Sequence, residues 1–133
     1  MVWHLVLTTW DEYAELDQRT HSNLSAAALS YITQNYVDAS LAPAQVADAV
    51  GVSVRTLQES LANEGTSPAQ KITELRLNHA AQYLADPTYQ DTSITDIARL
   101  SGFSLTDTFR RSFTRRFGIP PSTYRARFNP DNT

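Results

Sequence analysis

Six arginines fall within residues 104–128 (Arg110, Arg111, Arg115, Arg116, Arg125 and Arg127), opposed by one acid, Asp107. A guanidinium is a permanent cation with a planar fork of N–H donors, suited to recognising phosphate or flat acceptor edges. Residues 1–50 have the opposite balance, with Arg19 against Asp11, Glu12, Glu15, Asp17, Asp38 and Asp48. The two segments total +5 and −5, and the net charge of −3 for the whole chain conceals both. A local excess of this kind can form an electrostatic footprint for nucleic acid, and it can equally be a solvated helix face. Charge alone does not separate the two.

Other chemistries find little support. The chain has no cysteine, which excludes disulfides and thiolate metal sites and is compatible with a reducing cytoplasm. His4, His21 and His79 share no metal-ligand spacing, and His79 is expected to be a packing or surface residue. No nucleophile elbow, phosphate loop or pair of carboxylates stands out, so the expectation is a non-enzyme without metal or cofactor. With 133 residues, 41% hydrophobic and 19% charged, the chain suits one folded domain or two small lobes rather than a disordered segment. No apolar run is long enough to cross a bilayer, and Met1-Val2-Trp3-His4-Leu5 lacks the basic start of a signal peptide, so no membrane partner is expected.

The elements that must position the arginines read as helices. Leu24, Ala28, Tyr31 and Ile32 recur at helical spacing and predict a first core helix over about 23–36. Pro43 can open a short helix carrying Val46, Ala47 and Val50, ended by Gly51. Ser53 is an expected N-cap for a helix over about 54–63, with Leu57 and Leu61 facing inward. Gly65, Ser67 and Pro68 then stop one helix and start the next, a long one over about 68–85. Ile72 and Leu75 mark one apolar face of it, and Leu77, Ala81 and Leu84 an offset one, so it should touch a lobe at each end. Asp86-Pro87 closes it. A short helix over 94–100 follows, ended by Gly102, and Ser104 is read as the cap of a longer helix with Phe109, Phe113 and Phe117 every four residues. Gly118 stops that helix, and Pro120-Pro121 begin a last one with Tyr124 and Phe128. Nothing in 23–128 reads as strand. Upstream, Trp3, Leu5 and Leu7 alternate like a short strand or a remnant of a larger domain, and residues 11–20 read as a weak helix or linker.

Two stretches share one grammar: Val46-Ala47-Asp48-Ala49-Val50-Gly51-Val52-Ser53 and Ile97-Ala98-Arg99-Leu100-Ser101-Gly102-Phe103-Ser104. Each is followed by a helix that ends in Gly-x-x-Pro, at Gly65–Pro68 and Gly118–Pro121. The alanine lets the first helix lie close across the second. The glycine admits a positive φ at the turn, and the apolar residue after it plugs the angle between the helices. This is a helix-turn-helix, whose second helix can enter a major groove while the first crosses the backbone. A single copy fits many helical hairpins; two copies with matching exits and a basic second half favour DNA. The connecting helix would be about 26 Å long, which brings the two recognition helices near one DNA turn apart, about 34 Å.

The second motif, from Ile94-Thr95-Asp96-Ile97-Ala98 through Gly102-Phe103-Ser104 to Phe109-Arg110-Arg111-Ser112-Phe113-Thr114-Arg115-Arg116-Phe117-Gly118-Ile119-Pro120-Pro121-Ser122-Thr123-Tyr124-Arg125, resembles the C-terminal signature of the AraC/XylS family of bacterial transcription regulators. The connector Arg76-Leu77-Asn78-His79-Ala80 with Leu84 is similar to that family's linker helix. The resemblance covers about residues 23–127. It implies an all-α fold of about seven helices: two homeodomain-like three-helix lobes, 23–66 and 93–128, joined by a linker helix at 68–85. It also implies double-stranded DNA as partner, and an effector-binding and dimerising domain upstream. Residues 1–22 would then be an N-terminal extension, a remnant of such a domain or a linker, and 129–133 a tail. RNA polymerase is a further expected contact.

The family's base-facing positions fall on Thr106, Asp107, Arg110 and Arg111 in the second recognition helix. Periodicity agrees for 106, 107 and 110, because the phenylalanines take the inner face. Arginine can donate two hydrogen bonds to guanine, and Asp107 can accept from a cytosine amino group or orient an arginine. Arg115 and Arg116 lie further along, where phosphate is the expected contact. On the first recognition helix the corresponding positions are Arg55, Gln58 and Glu59, with Gln58 suited to adenine. Ser53 and Ser104, at helix N-termini, are candidates for phosphate as well as for capping. Glu59, Glu64, the early Gly65 and Leu61 in place of phenylalanine depart from the family pattern, and they predict a smaller contribution from the first motif. The competing reading is a helical protein-interaction module that kept the fold and lost DNA affinity, favoured by Glu59, Glu64 and the net acidity.

Overall fold

Three of the helices begin on a proline whose missing N–H would have had no helical partner in any case: Pro43, Pro68 and Pro121. These starts, with the four glycines at positive φ, divide a chain of strong helix formers into short rods. The computed structural model describes residues 22–129. Within them lie α1 (22–35), α2 (Pro43–Ala49), α3 (Val54–Ala62), α4 (Pro68–Ala85), α5 (Ile94–Leu100), α6 (Thr106–Phe117) and α7 (Pro121–Phe128), with a 3₁₀ turn at Pro87–Tyr89. No strand occurs among the described residues. The readings placed on Trp3, Leu5 and Leu7 and on residues 11–20, and most of the expected extension and tail, lie outside them.

Two separate cores form. Ala28 and Ile32 of α1, Val46 and Ala47 of α2, and Leu57 and Leu61 of α3 close on one another with Leu41 and Ile72. Ile97, Ala98, Phe103, Phe109 and Phe113 close on Leu77, Ala80, Ala81 and Leu84, with Phe117 and Tyr124 partly buried at the edge. Helix α4 therefore gives Ile72 to the first core and four residues to the second, as its two offset apolar faces predict. Helix α7 lies along α4. A half-buried aromatic run crosses the same helix: the Tyr36 hydroxyl is 3.0 Å from His79 Nδ1, His79 stacks on Tyr83 at 4.6 Å, and Tyr83 meets Tyr89 edge-on. Burial holds the His79 pKa below the ordinary histidine value, and the residue is a packing one.

The two turns are built alike. Ala47 and Ala98 are buried where the paired helices cross, and their carbonyls accept from Val52 N at 3.0 Å and Phe103 N at 2.9 Å. Gly51 and Gly102 adopt φ of 76° and 105°, which a side chain would strain. The exits differ by one residue. Helix α3 starts directly after Ser53, whose hydroxyl accepts from Thr56 N at 3.1 Å as a cap. The cap expected at Ser104 is not made: α6 begins at Thr106, Leu105 occupies the N-cap, and no side chain caps the helix. The inward residues show the reason. Leu57 and Leu61 are matched by Phe109 and Phe113, 52 positions on, whereas the glycines are 51 apart. Burying Phe109 and Phe113 demands one extra residue in the second turn, which moves Ser104 off the helix.

Candidate nucleic-acid interface

The inward anchors decide which residues of the two second helices face solvent. With Leu57, Ser60 and Leu61 buried, α3 turns Arg55, Gln58 and Glu59 outward, all exposed. Arg55 does not stand alone there: its Nε lies 3.2 Å from Glu59 Oε1. The side chains are 89% and 60% exposed, so the pair contributes little to stability, yet it offsets the one cation on this face of α3.

On α6 the buried Phe109 and Phe113 leave Asp107, Arg110 and Arg111 exposed and Thr106 half-buried. Arg110, Arg111, Thr114 and Arg115 line one shallow concavity of about 440 Å³, so three guanidinium groups share a patch. The Asp107 carboxylate sits in the first turn, where the helix dipole favours a negative charge. Arg111 Nε points toward the Asp107 carbonyl at 3.4 Å, not toward its carboxylate. The Thr114 hydroxyl donates to the Arg110 carbonyl at 2.8 Å. Thr114 is not among the contacts that the sequence suggests, although its place four residues after Arg110 puts it on the same face.

The remaining members of the basic run divide. Arg115 borders a groove of about 700 Å³ floored by Ala69, Gln70, Thr73 and Glu74 of α4 and flanked by Gly65 and Thr66 of the first lobe and Ser112 of α6. Arg116 lines the same groove but is turned onto α4. Its Nε and Nη2 donate to Asn78 Oδ1 at 3.2 and 3.0 Å, Nη2 lies 4.0 Å from Glu74, and the guanidinium sits 5.6 Å above the Phe117 ring. Arg125 donates to the Thr92 carbonyl, fastening α7 to the loop before α5. Ser53 is occupied as a cap, whereas Ser104 is exposed and uncommitted to any helix. Leu105, beside it at the tip of α6, is 65% exposed, and no sequence pattern marks it.

A family model described as "Helix-turn-helix domain" matches residues 46–127. Among curated relatives, the chain is 36% identical over 99 residues to the HTH-type transcriptional activator RhaS of Yersinia pestis, covering 74% of this chain and 35% of that one. It is 34% identical over 94 residues to the transcriptional activator NphR of a Rhodococcus species, covering 71% and 27%. The chain thus spans between about a quarter and a third of the length of these relatives. A solved structure of an AraC-type DNA-binding domain-containing regulator from Chromobacterium violaceum superposes with a TM-score of 0.69 at 31% identity, over 80% of this chain and 93% of that one. A probable AraC family regulator from Rhodopseudomonas palustris gives a TM-score of 0.69 at 27% identity, over 81% and 99%. Fold and matches together define a double helix-turn-helix domain of the DNA-binding type. The chain belongs to the AraC/XylS family, a family of transcription regulators rather than of enzymes. None of its described helices is long and apolar enough to cross a membrane.

Proposed function

We propose that this chain binds double-stranded DNA sequence-specifically, with α3 and α6 in successive major grooves, and so directs transcription of nearby genes. The observation that carries the reading is the outward patch of Arg110, Arg111 and Arg115, held by phenylalanines on the opposite side of the same helix. In this reading Arg110 and Arg111 meet base edges with Thr106 and Asp107, and Arg115 meets phosphate from the groove between the lobes. Ser104 is free to meet phosphate, and Ser53 meets one at the α3 N-terminus. Arg116, spent on Asn78, orients α6. On α3, Gln58 and Arg55 read bases more weakly, because Glu59 offsets the arginine. The relatives' greater length supports an effector-binding and dimerising domain upstream, and their description as activators supports contact with RNA polymerase in the cytoplasm.

Selection of bound duplexes from a random pool, followed by salt-titrated binding, tests this. Wild type should select one motif and lose affinity steeply with salt. Arg115→Ala should lower the slope of log K against log salt by about one. Arg110→Ala should relax preference at one base position, a loss of about 1–3 kcal/mol of discrimination there. A chain that selects nothing, or whose binding ignores salt, is the protein-interaction module instead.

A further inference from the structure

Gly51 and Gly102 hold the same place in the two turns, yet their surroundings differ. A methyl group on Gly51 would meet nothing within 4 Å. On Gly102 it would meet the Tyr36 carbonyl oxygen at 2.5 Å and Arg76 Nε at 2.8 Å. Tyr36 follows the last turn of α1 in the first lobe, Arg76 sits midway along α4, and Gly102 is the turn of the second lobe. All three meet at one point. Arg76 also closes the end of α1, donating Nε to the Tyr36 carbonyl at 2.7 Å and Nη2 to the Asp38 and Leu41 carbonyls at 2.8 and 3.3 Å. Carbonyls past a helix C-terminus lack helical partners, so the fork satisfies groups that α1 cannot.

Two lobes joined by a single rod can swing as the rod bends. A second contact beside the rod converts that hinge into a triangle. The geometry points to the Arg76–Tyr36–Gly102 junction as an interlobe latch that fixes the separation and phase of α3 and α6, and so sets the spacing the protein demands between the two halves of its DNA site. Arg76 is a positioning residue in this arrangement and touches no base. The inference rests on the proposed DNA reading for its consequence, but not for the latch itself.

Two measurements on the full 133-residue chain test it separately. The chain has no cysteine, so Ala44→Cys on α2 and Ser122→Cys on α7, both exposed, place one spin label on each lobe. Without DNA, the distance distribution should be narrow in wild type and broader in Arg76→Gln. Arg76→Lys, which keeps the charge but cannot reach three carbonyls with a planar fork, should fall between. Should Arg76→Gln fail to fold, the lysine variant alone decides. An equally narrow distribution in the folded variants overturns the latch, whatever happens with DNA. The second measurement uses the selected duplex with one base pair inserted or removed between the halves. Wild type should lose about tenfold in affinity for either change, comparable to a mismatched pair. Arg76→Lys should lose less than about threefold relative to its own best spacing. Unchanged spacing preference, with the broader distribution present, overturns the consequence. Absence of DNA binding by wild type overturns the proposed function and the spacing claim, and leaves the label distances to judge the latch.

Discussion

Glu59 is the residue that most alters the balance of α3. It accepts from Arg55 at 3.2 Å on a face otherwise open to an approaching duplex. Replacing it by glutamine removes a negative charge that would lie near phosphate and frees Arg55 to turn toward a base. Glu59→Gln should therefore raise DNA affinity by several-fold at low salt, about 1 kcal/mol at most, with the gain shrinking as salt screens it. Fluorescence anisotropy across a salt series measures this; no change at any salt would remove α3 from the interface. The pairing is legible in the sequence as an i, i+4 arginine and glutamate. Arg116 is not. Its neighbour Asn78 lies 38 positions away, and periodicity cannot tell an arginine folded back on another helix from one reaching into solvent.

Among the elements, α6 carries an anomaly at its start. An apolar residue at the N-cap leaves the first N–H groups without a side-chain acceptor, and the extended Leu105 backbone (φ −121°, ψ 121°) is already one that serine adopts. Leu105→Ser should stabilise the fold by about 1 kcal/mol and raise Tm by roughly 4 °C or more, read by thermal denaturation. A fall in Tm would mean that the leucine packs in a way its 65% exposure denies. Helix boundaries were otherwise legible within a residue or two, because Pro43, Pro68, Pro121 and the glycines punctuate the chain and Leu57, Leu61, Phe109 and Phe113 mark the inner faces. The glycines of the two motifs are 51 apart, and that offset puts the second cap at Ser104. The buried apolar positions beyond them are 52 apart, and that offset puts it at Leu105.

For the molecule as a whole, the two turn glycines make a matched pair. Both need a positive φ, which costs an alanine about 1–2 kcal/mol, but only Gly102 is overlain by another lobe's backbone. Gly51→Ala should lower stability by about that amount. Gly102→Ala should cost clearly more, about twice as much or beyond, since the added methyl group and the Tyr36 carbonyl cannot both keep their places. Urea denaturation of the two variants gives the comparison, and equal losses would mean the close approach relaxes cheaply. This contact was invisible in the sequence. Tyr36 and Gly102 are far apart along the chain, and nothing in a glycine's neighbours reports what lies above it.

The helix between the lobes is shared unequally. Leu77, Ala80, Ala81 and Leu84 belong to the second core, whereas the first takes the buried Ile72, the half-buried Leu75 and the three carbonyl bonds of Arg76. One half of the molecule owns its scaffold and the other leans on it. Severed between Glu64 and Ser67, the C-terminal piece would retain every residue of the second core and lose the Tyr36 cover over Gly102. The N-terminal piece would be left with an uncovered apolar floor and a frayed end to α1, a tenant evicted from the wall that held it upright.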